Sequence, residues 1–362
     1  MIGTARLDSL RRRLREEQAD AIAVTHVPNI AYLTGFRRGF DDEPAHIALV
    51  TDAIELIITD SRYADALSAA SLGTEWHVVI AKKSLPEALA DELRAAGIEQ
   101  VALETTLPQR RYRAFETALG FAAIECNGWV ETLRQVKDTE ELSAIEAAQA
   151  LTDRAFEHVL GVLRTGISEA EVALELEFFM RRNGSEGVAF APIIASGPNS
   201  ARPHATPGDR VLADGDFVVL DFGARVGGYC ADMTRTVVIG KATDRHREIY
   251  DAVLAANAAG AAAVSPGASG RDIDAAAREV IAERGFGEHF GHGLGHGVGL
   301  EIHEMPSVGP RSEAPVPQGA VITIEPGIYI PGFGGVRIED LAVVEGAGAR
   351  VLTCSTKDLL EL

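Results

Sequence analysis

The run GDFVVLDFG, Gly215 to Gly223, and the run GAVITIEPG, Gly319 to Gly327, are one pattern written twice. Each opens on a glycine, continues as an apolar strand, places an acid at the same offset (Asp221, Glu325) and closes on a second glycine. Each is followed by another apolar strand with an acid of its own, Asp232 in YCADMTRTVVI and Glu339 in GVRIEDLAVV. The chain builds an acidic hairpin twice. In the first, a two-residue turn at Val226-Gly227 sets Asp221 opposite Asp232, and a turn at Gly227-Gly228 makes them diagonal neighbours on one face. In the second, a loop centred on Gly332 sets Glu325 against Glu339 by the same arithmetic.

Like charges opposed on a strand pair repel, and the flanking Val, Leu and Ile residues make uncompensated charge costlier. A single acid of this kind is explained by an exposed strand end balanced by Arg225, Arg235 or Arg337. The repeated arrangement asks for more. Two divalent ions bring about four positive charges against four negative ones, and oxygen-rich ligation suits hard or borderline ions such as Mn²⁺, with Co²⁺, Zn²⁺ or Fe²⁺ as alternatives.

Between the hairpins lies GHGLGHGVGLEIHE, Gly291 to Glu304, carrying His292, His296 and His303. The first two are four apart, as in a helical HExxH motif, but five glycines between Gly291 and Gly299 rule against a helix. The reading is backbone bent around a site, with histidines free to approach a metal or substrate.

These residues resemble the pita-bread metallopeptidases, the family of methionine aminopeptidases, aminopeptidase P and prolidase. The resemblance covers most of the chain after about Val136. It implies Asp221, Asp232, His296, Glu325 and Glu339 as metal ligands, and it alone chooses Glu339 over the neighbouring Asp340. It implies further that His204 in SGPNSARPHA and His303 orient substrate and the tetrahedral intermediate. His292 matches the family's remaining non-ligand histidine, and Arg337 its arginine before the last ligand. Water or hydroxide bridging two metals is a nucleophile near neutral pH. Glu325 is the proton carrier, and Arg337 and Thr234 hold ligand carboxylates in place.

Other chemistries lack their motifs. There is no Gly-x-Ser-x-Gly elbow, Walker A loop or GxGxxG, and Cys126, Cys230 and Cys354 are too scattered for a zinc ribbon. Cys230 shares a strand face with Asp232 and reads as a small core residue. The chain has 362 residues, 46% hydrophobic and 24% charged, the balance of a soluble globular protein with room for two domains. A net charge of −19 argues against nucleic acid. Arg11 to Arg15 reads as a solvated helix face. No signal peptide or membrane-spanning stretch is visible, and three cysteines fit no disulfide framework, so the cytoplasm is the expected compartment.

The expected fold is α+β. Residues 1–127 alternate helices with short strands (DAIAVT, HIALVT, ELIIT, EWHVVIA, QVALE), and Asn29 to Gly35 resembles the creatinase-type N-terminal domain. A connector follows at 128–137, and a pita-bread domain at 138–362. Helices are expected near Asp138–Leu163, Ser168–Arg182, Asp244–Val264 and Arg271–Glu283, the second opened by the Ser168/Glu171 capping box.

The resemblance, chiefly the N-terminal domain and the HExP run His303 to Pro306, implies a peptidase cutting before a proline in the second position, and a homodimer. Many prolidases place an arginine after HExP for the dipeptide carboxylate. Ser307 stands there, which inclines this reading to an Xaa-Pro aminopeptidase over an Xaa-Pro dipeptidase, although Arg202 or Arg311 offers the charge elsewhere. A metal-free creatinase-like amidinohydrolase and a non-catalytic binding module are the alternatives outside peptidase chemistry.

Overall fold

The structure is a computed structural model and describes residues 2–36, 40–41, 43–346 and 348–362. It divides into two compact units, Met1–Arg134 and Gln135–Leu362.

The first unit is built on one mixed sheet. Its strand order is His77–Ile80, Glu55–Thr59, His46–Thr51, Ala21–Val24, Val101–Glu104, Ile124–Cys126. The middle strands pair antiparallel and the flanking ones parallel, with a helix crossing between Glu55–Thr59 and His77–Ile80 and between Val101–Glu104 and Ile124–Cys126. Ile47, Leu49, Ile58, Leu89, Leu103 and Phe115 form its core. The stretch expected as a connector instead contains the helix Trp129–Arg134, inside the first unit. Trp129 and Val130 are buried there, and six residues are too few to display helical periodicity in sequence. Arg11 also departs from the solvated-face reading: it is half-buried, donates to the Thr51 carbonyl at 2.9 Å and pairs with Glu55.

The second unit repeats itself. The helices Thr139–Leu160 and Glu169–Arg182 pack on the antiparallel strands Ile193–Ser196, Phe217–Phe222 and Met233–Val238, burying Phe156, Leu176, Met180, Leu220 and Phe222. The helices Asp244–Ala263 and Gly270–Glu283 pack on Val321–Ile324 and Asp340–Glu345, burying Ile249, Val253, Ile273, Ile322 and Ile324. Ser168 caps the second helix as expected, its hydroxyl accepting from the Glu171 amide while Glu171 reaches back.

Both acidic hairpins are broken in the middle. In the first, Phe217–Phe222 pairs with Met233–Val238, the ladder then lapses, and Ala224–Val226 pairs with Tyr229–Cys230 around a Gly227-Gly228 turn. Both turn glycines have positive φ, 59° and 81°, the backbone a tight hairpin requires. Of the two registers open to the sequence, this is the one with Asp221 opposite Thr234 and diagonal to Asp232. The second hairpin lapses between Ile324↔Asp340 and Gly327↔Arg337 with no change of register, so Glu325 and Glu339 face each other in the gap. The breaks leave Asp232 in the first hairpin, and Glu325 and Glu339 in the second, outside the ladders. Among the described residues no helix is long and apolar enough to cross a membrane.

Candidate metal centre

The two hairpins cross where TRT, Thr234 to Thr236, meets Arg337 to Glu339. Thr236 Oγ1 donates to the Arg337 carbonyl at 2.9 Å and accepts from the Arg337 amide at 3.1 Å. The Glu339 amide donates to the Thr234 carbonyl at 3.0 Å, and Thr234 Oγ1 donates to Glu339 Oε2 at 2.6 Å. Backbone and hydroxyl together fix an acid of one hairpin against a strand of the other.

A cavity of about 590 Å³ opens over this crossing. Nine of the residues singled out in the sequence as ligands or catalytic groups line it: His204, Asp221, Asp232, His292, His296, His303, Glu325, Arg337 and Glu339; Thr234 does not. One ligand atom each from Asp232, His296 and Glu339 lies within 4.8 Å of the others. His296 Nε2 is 3.6 Å from Asp232 Oδ2 and 3.4 Å from Glu325 Oε1. Asp221 accepts from Arg337 Nη2 through Oδ2, while its buried Oδ1 has no hydrogen-bond partner among the described residues.

The electrostatics are those of a site built for cations. Burial raises the carboxyls of Asp232 and Glu339 well above the ordinary range, and repulsion from the neighbouring acids adds to it. Burial raises Asp221, with Arg337 opposing, and pushes Glu325 up to about 8. Burial also drives His296 down to about 4. Its neutral ring donates from Nδ1 to the Gly297 carbonyl at 3.1 Å, leaving the Nε2 lone pair facing the acids. An orphaned carboxylate oxygen, crowded acids and an imidazole lone pair turned toward them fit divalent metal ions.

Glycine earns its place beside His296. A Cβ on Gly295 would sit 2.1 Å from the Thr323 carbonyl oxygen, and one on Gly297 2.3 Å from that of Met305. The histidine therefore rides a strand, Gly295–Gly297, that only bare backbone can occupy, and no helix forms. Arg278 Nη2 donates to the His292 carbonyl at 2.7 Å, and Asp274 Oδ1 accepts from the Leu294 amide at 3.0 Å, pinning the preceding loop from the Gly270–Glu283 helix.

Sequence reasoning missed Asp274, Arg278 and Tyr329. Arg337 Nη1 donates to the buried Tyr329 hydroxyl at 2.9 Å, which lies 3.0 Å from His292 Nε2. His292 is lowered by burial to about 4, and its Nδ1 is turned to the Gly293 carbonyl, so the tyrosine donates to Nε2. The available signal was Tyr329 itself, a polar tip on the same strand face as Glu325.

Asp340, the rival ligand, points elsewhere. Its carboxylate pairs with Arg235 Nη2 at 2.9 Å and Lys357 Nζ at 2.6 Å, and Arg235 Nη1 donates to the Glu339 carbonyl at 2.6 Å. Cys230 is buried and does not line the cavity. Removing one member of a buried ion pair costs about 3–5 kcal/mol. Asp340→Ala should therefore lower the melting temperature without the loss of bound metal that Glu339→Ala produces; melting curves and metal analysis of both variants check this.

Residues 143–346 match the model of metallopeptidase family M24, and residues 6–136 that of the creatinase/prolidase N-terminal domain. The chain is 35% identical to an Xaa-Pro dipeptidase of Pyrococcus horikoshii, covering 94% of each sequence. Among solved structures, the Xaa-Pro dipeptidase from Bacillus anthracis superposes with a TM-score of 0.94 at 40% identity, covering 99% of this chain and 100% of that one. The X-Pro aminopeptidase from Thermotoga maritima MSB8 superposes at 0.86 with 36% identity, covering 97% and 100%. With the duplicated acidic hairpins of its second unit and a creatinase-type unit before them, the chain belongs to metallopeptidase family M24 and is an enzyme.

Proposed function

We propose that the protein hydrolyses the bond between an N-terminal residue and a following proline, with Xaa-Pro dipeptides as its substrates. The observation that carries this is the convergence, in one cavity of an M24 chain, of five side chains able to ligate metal with three further histidines. Asp221, Asp232, His296, Glu325 and Glu339 would hold two divalent ions, Mn²⁺ being well suited to so many oxygens. Such ions supply a water acid enough to attack near neutral pH and polarise the scissile carbonyl.

The chain's own groups do the rest. The Glu325 carboxyl moves the proton from the attacking water to the departing nitrogen. Arg337 fixes Asp221 and Tyr329 together, and Tyr329 fixes the neutral ring of His292. His204 and His303 stand exposed at the rim, where they orient the substrate carbonyl. Burial lowers His303, so its ring is neutral at pH 7 and offers one donor and one acceptor.

Ser307 inclines the sequence toward an aminopeptidase, and the relatives' names incline the other way. Two of the three similar proteins above are dipeptidases. Ser307 lines the cavity, its hydroxyl 3.0 Å from that of Ser312, and neither Arg202 nor Arg311 lines it. A dipeptide carboxylate then meets hydroxyl and imidazole donors where a guanidinium would hold it more tightly. The expected result is a higher kcat/KM for Xaa-Pro than for the matching Xaa-Pro-Xaa, with Ser307→Arg lowering KM for the dipeptide. A wild type that prefers the tripeptide under equal metal loading returns the assignment to the aminopeptidase.

A further inference from the structure

Glu169 is fully buried, carries an ionisable group and touches nothing in the cavity. Every partner facing its carboxylate is a donor, and all of them come from the two ends of one loop. Oε1 accepts from the Ser196 amide at 2.8 Å and the Ser196 hydroxyl at 2.7 Å. Asn199 Nδ2 bridges both oxygens at 3.1 and 3.2 Å, and the Gly208 amide reaches Oε2 at 3.3 Å. The helix start closes the same circuit, since the Glu169 and Ala170 amides donate to the carbonyls of Arg210 and Gly208.

The loop so gathered presents Pro203 to Pro207 to the cavity, with His204 among them. Its far side is tied to the ligand network, where Arg337 Nη1 donates to the Pro203 carbonyl at 3.4 Å and the Gly335 amide to Ser200 Oγ at 2.8 Å. Ser196 extends the anchor by accepting from Arg210, whose guanidinium pairs with Asp216 at 2.6 Å. A buried carboxylate whose direct donors are neutral is costly unless its hydrogen bonds are complete, and the Arg210 guanidinium behind Ser196 offsets part of its charge. Here they are spent on closing the base of the His204 loop.

We infer that Glu169 is a positioning residue that acts on the reaction through His204. This rests on the reading of His204 as a group that orients substrate. An imidazole displaced by about 1 Å loses on the order of a hundredfold in rate. Replacing the carboxylate by an amide does not repair the loop, because the NH₂ of glutamine must face a donor.

The test is a double-mutant cycle on the metal-loaded enzyme, using whichever of Xaa-Pro and Xaa-Pro-Xaa is cleaved faster. Wild type, Glu169→Ala, His204→Ala and the double variant are compared for kcat/KM, bound metal and melting temperature. Glu169→Ala should lower kcat/KM about 10- to 100-fold in the wild type and less than about 3-fold in the His204→Ala background, with metal content unchanged. Glu169→Gln should fall between wild type and Glu169→Ala, and it carries the cycle should the alanine variant fail to fold. Equal losses in both backgrounds, no loss in the wild type, or a drop in bound metal overturns the positioning role. A His204→Ala enzyme as active as wild type overturns the reading of His204 itself, and the positioning role with it.

Discussion

Stripped of metal, the protein should become less stable as the pH rises from about 6.5, above which the buried histidines are neutral whether folded or unfolded, to 8, and restoring metal should abolish that slope. The acids of the centre bind protons more readily folded than unfolded, because burial and mutual repulsion disfavour their charged forms. A carboxyl raised in the folded state contributes stability that is complete below its unfolded value, near pH 4, and lost as pH climbs through the folded one. Glu325 places that loss near 8, and Asp232 and Glu339 shift in the same direction. The chelated protein should lose on the order of 5–10 °C in melting temperature across this range. Metal reverses the sign by stabilising the ionised carboxylates, and at a thousandfold excess over Kd it adds about 4 kcal/mol per site. Metal titrations near pH 7 should also release protons, visible as a buffer-dependent heat. A chelated sample with a flat melting profile between about pH 6.5 and 8, or one that still hydrolyses peptide, would remove the binuclear centre.

The second large effect separates two histidines that the sequence writes alike. His296→Ala should lose bound metal and most activity, because Nε2 aims its lone pair at Asp232 and Glu325. Removing an outer partner of a metal ligand already costs about 10- to 100-fold in affinity or activity, so loss of the ligand should exceed that. His204→Ala should lower activity with metal near the wild-type level, since the side chain stands exposed at the rim and outside the tight cluster of Asp232, His296 and Glu339. Metal analysis beside steady-state kinetics decides it. Equal metal loss in both variants means the two roles are misassigned.

That the acids meet was legible because a strand's period of two and a glycine turn fix which residues share a face. Either turn, Val226-Gly227 or Gly227-Gly228, brings Asp221 and Asp232 together without long-range information, and the chain takes the second. The repeat at Gly319 to Glu339 then carried the same arithmetic to Glu325. What escaped was whatever depends on packing between elements distant in sequence. Asp274 and Arg278 lie on a helix the sequence does predict, but their role shows only once that helix is laid against the loop holding His292. Tyr329 belongs to no motif, and its part in the site depends on Arg337 beside it. Asp340 and Glu339 are chemically close neighbours on one strand, and only Arg235 and Lys357, brought from elsewhere in the chain, draw Asp340 away.

The breaks in the two hairpins have a mechanical consequence. Each leaves acids outside its ladder, and these acids answer to a single charge balance shared by both halves of the unit. Thr234 and Thr236 bolt the halves together at the same spot. Opening the cavity by parting the halves would pull the balance apart, so this scaffold is unsuited to clam-shell breathing. Traffic in and out falls to the rim, where His204 and His303 sit on separate loops. A rim can be rebuilt segment by segment while its foundation stays fixed, which leaves the choice of peptide free to drift around an unmoving centre.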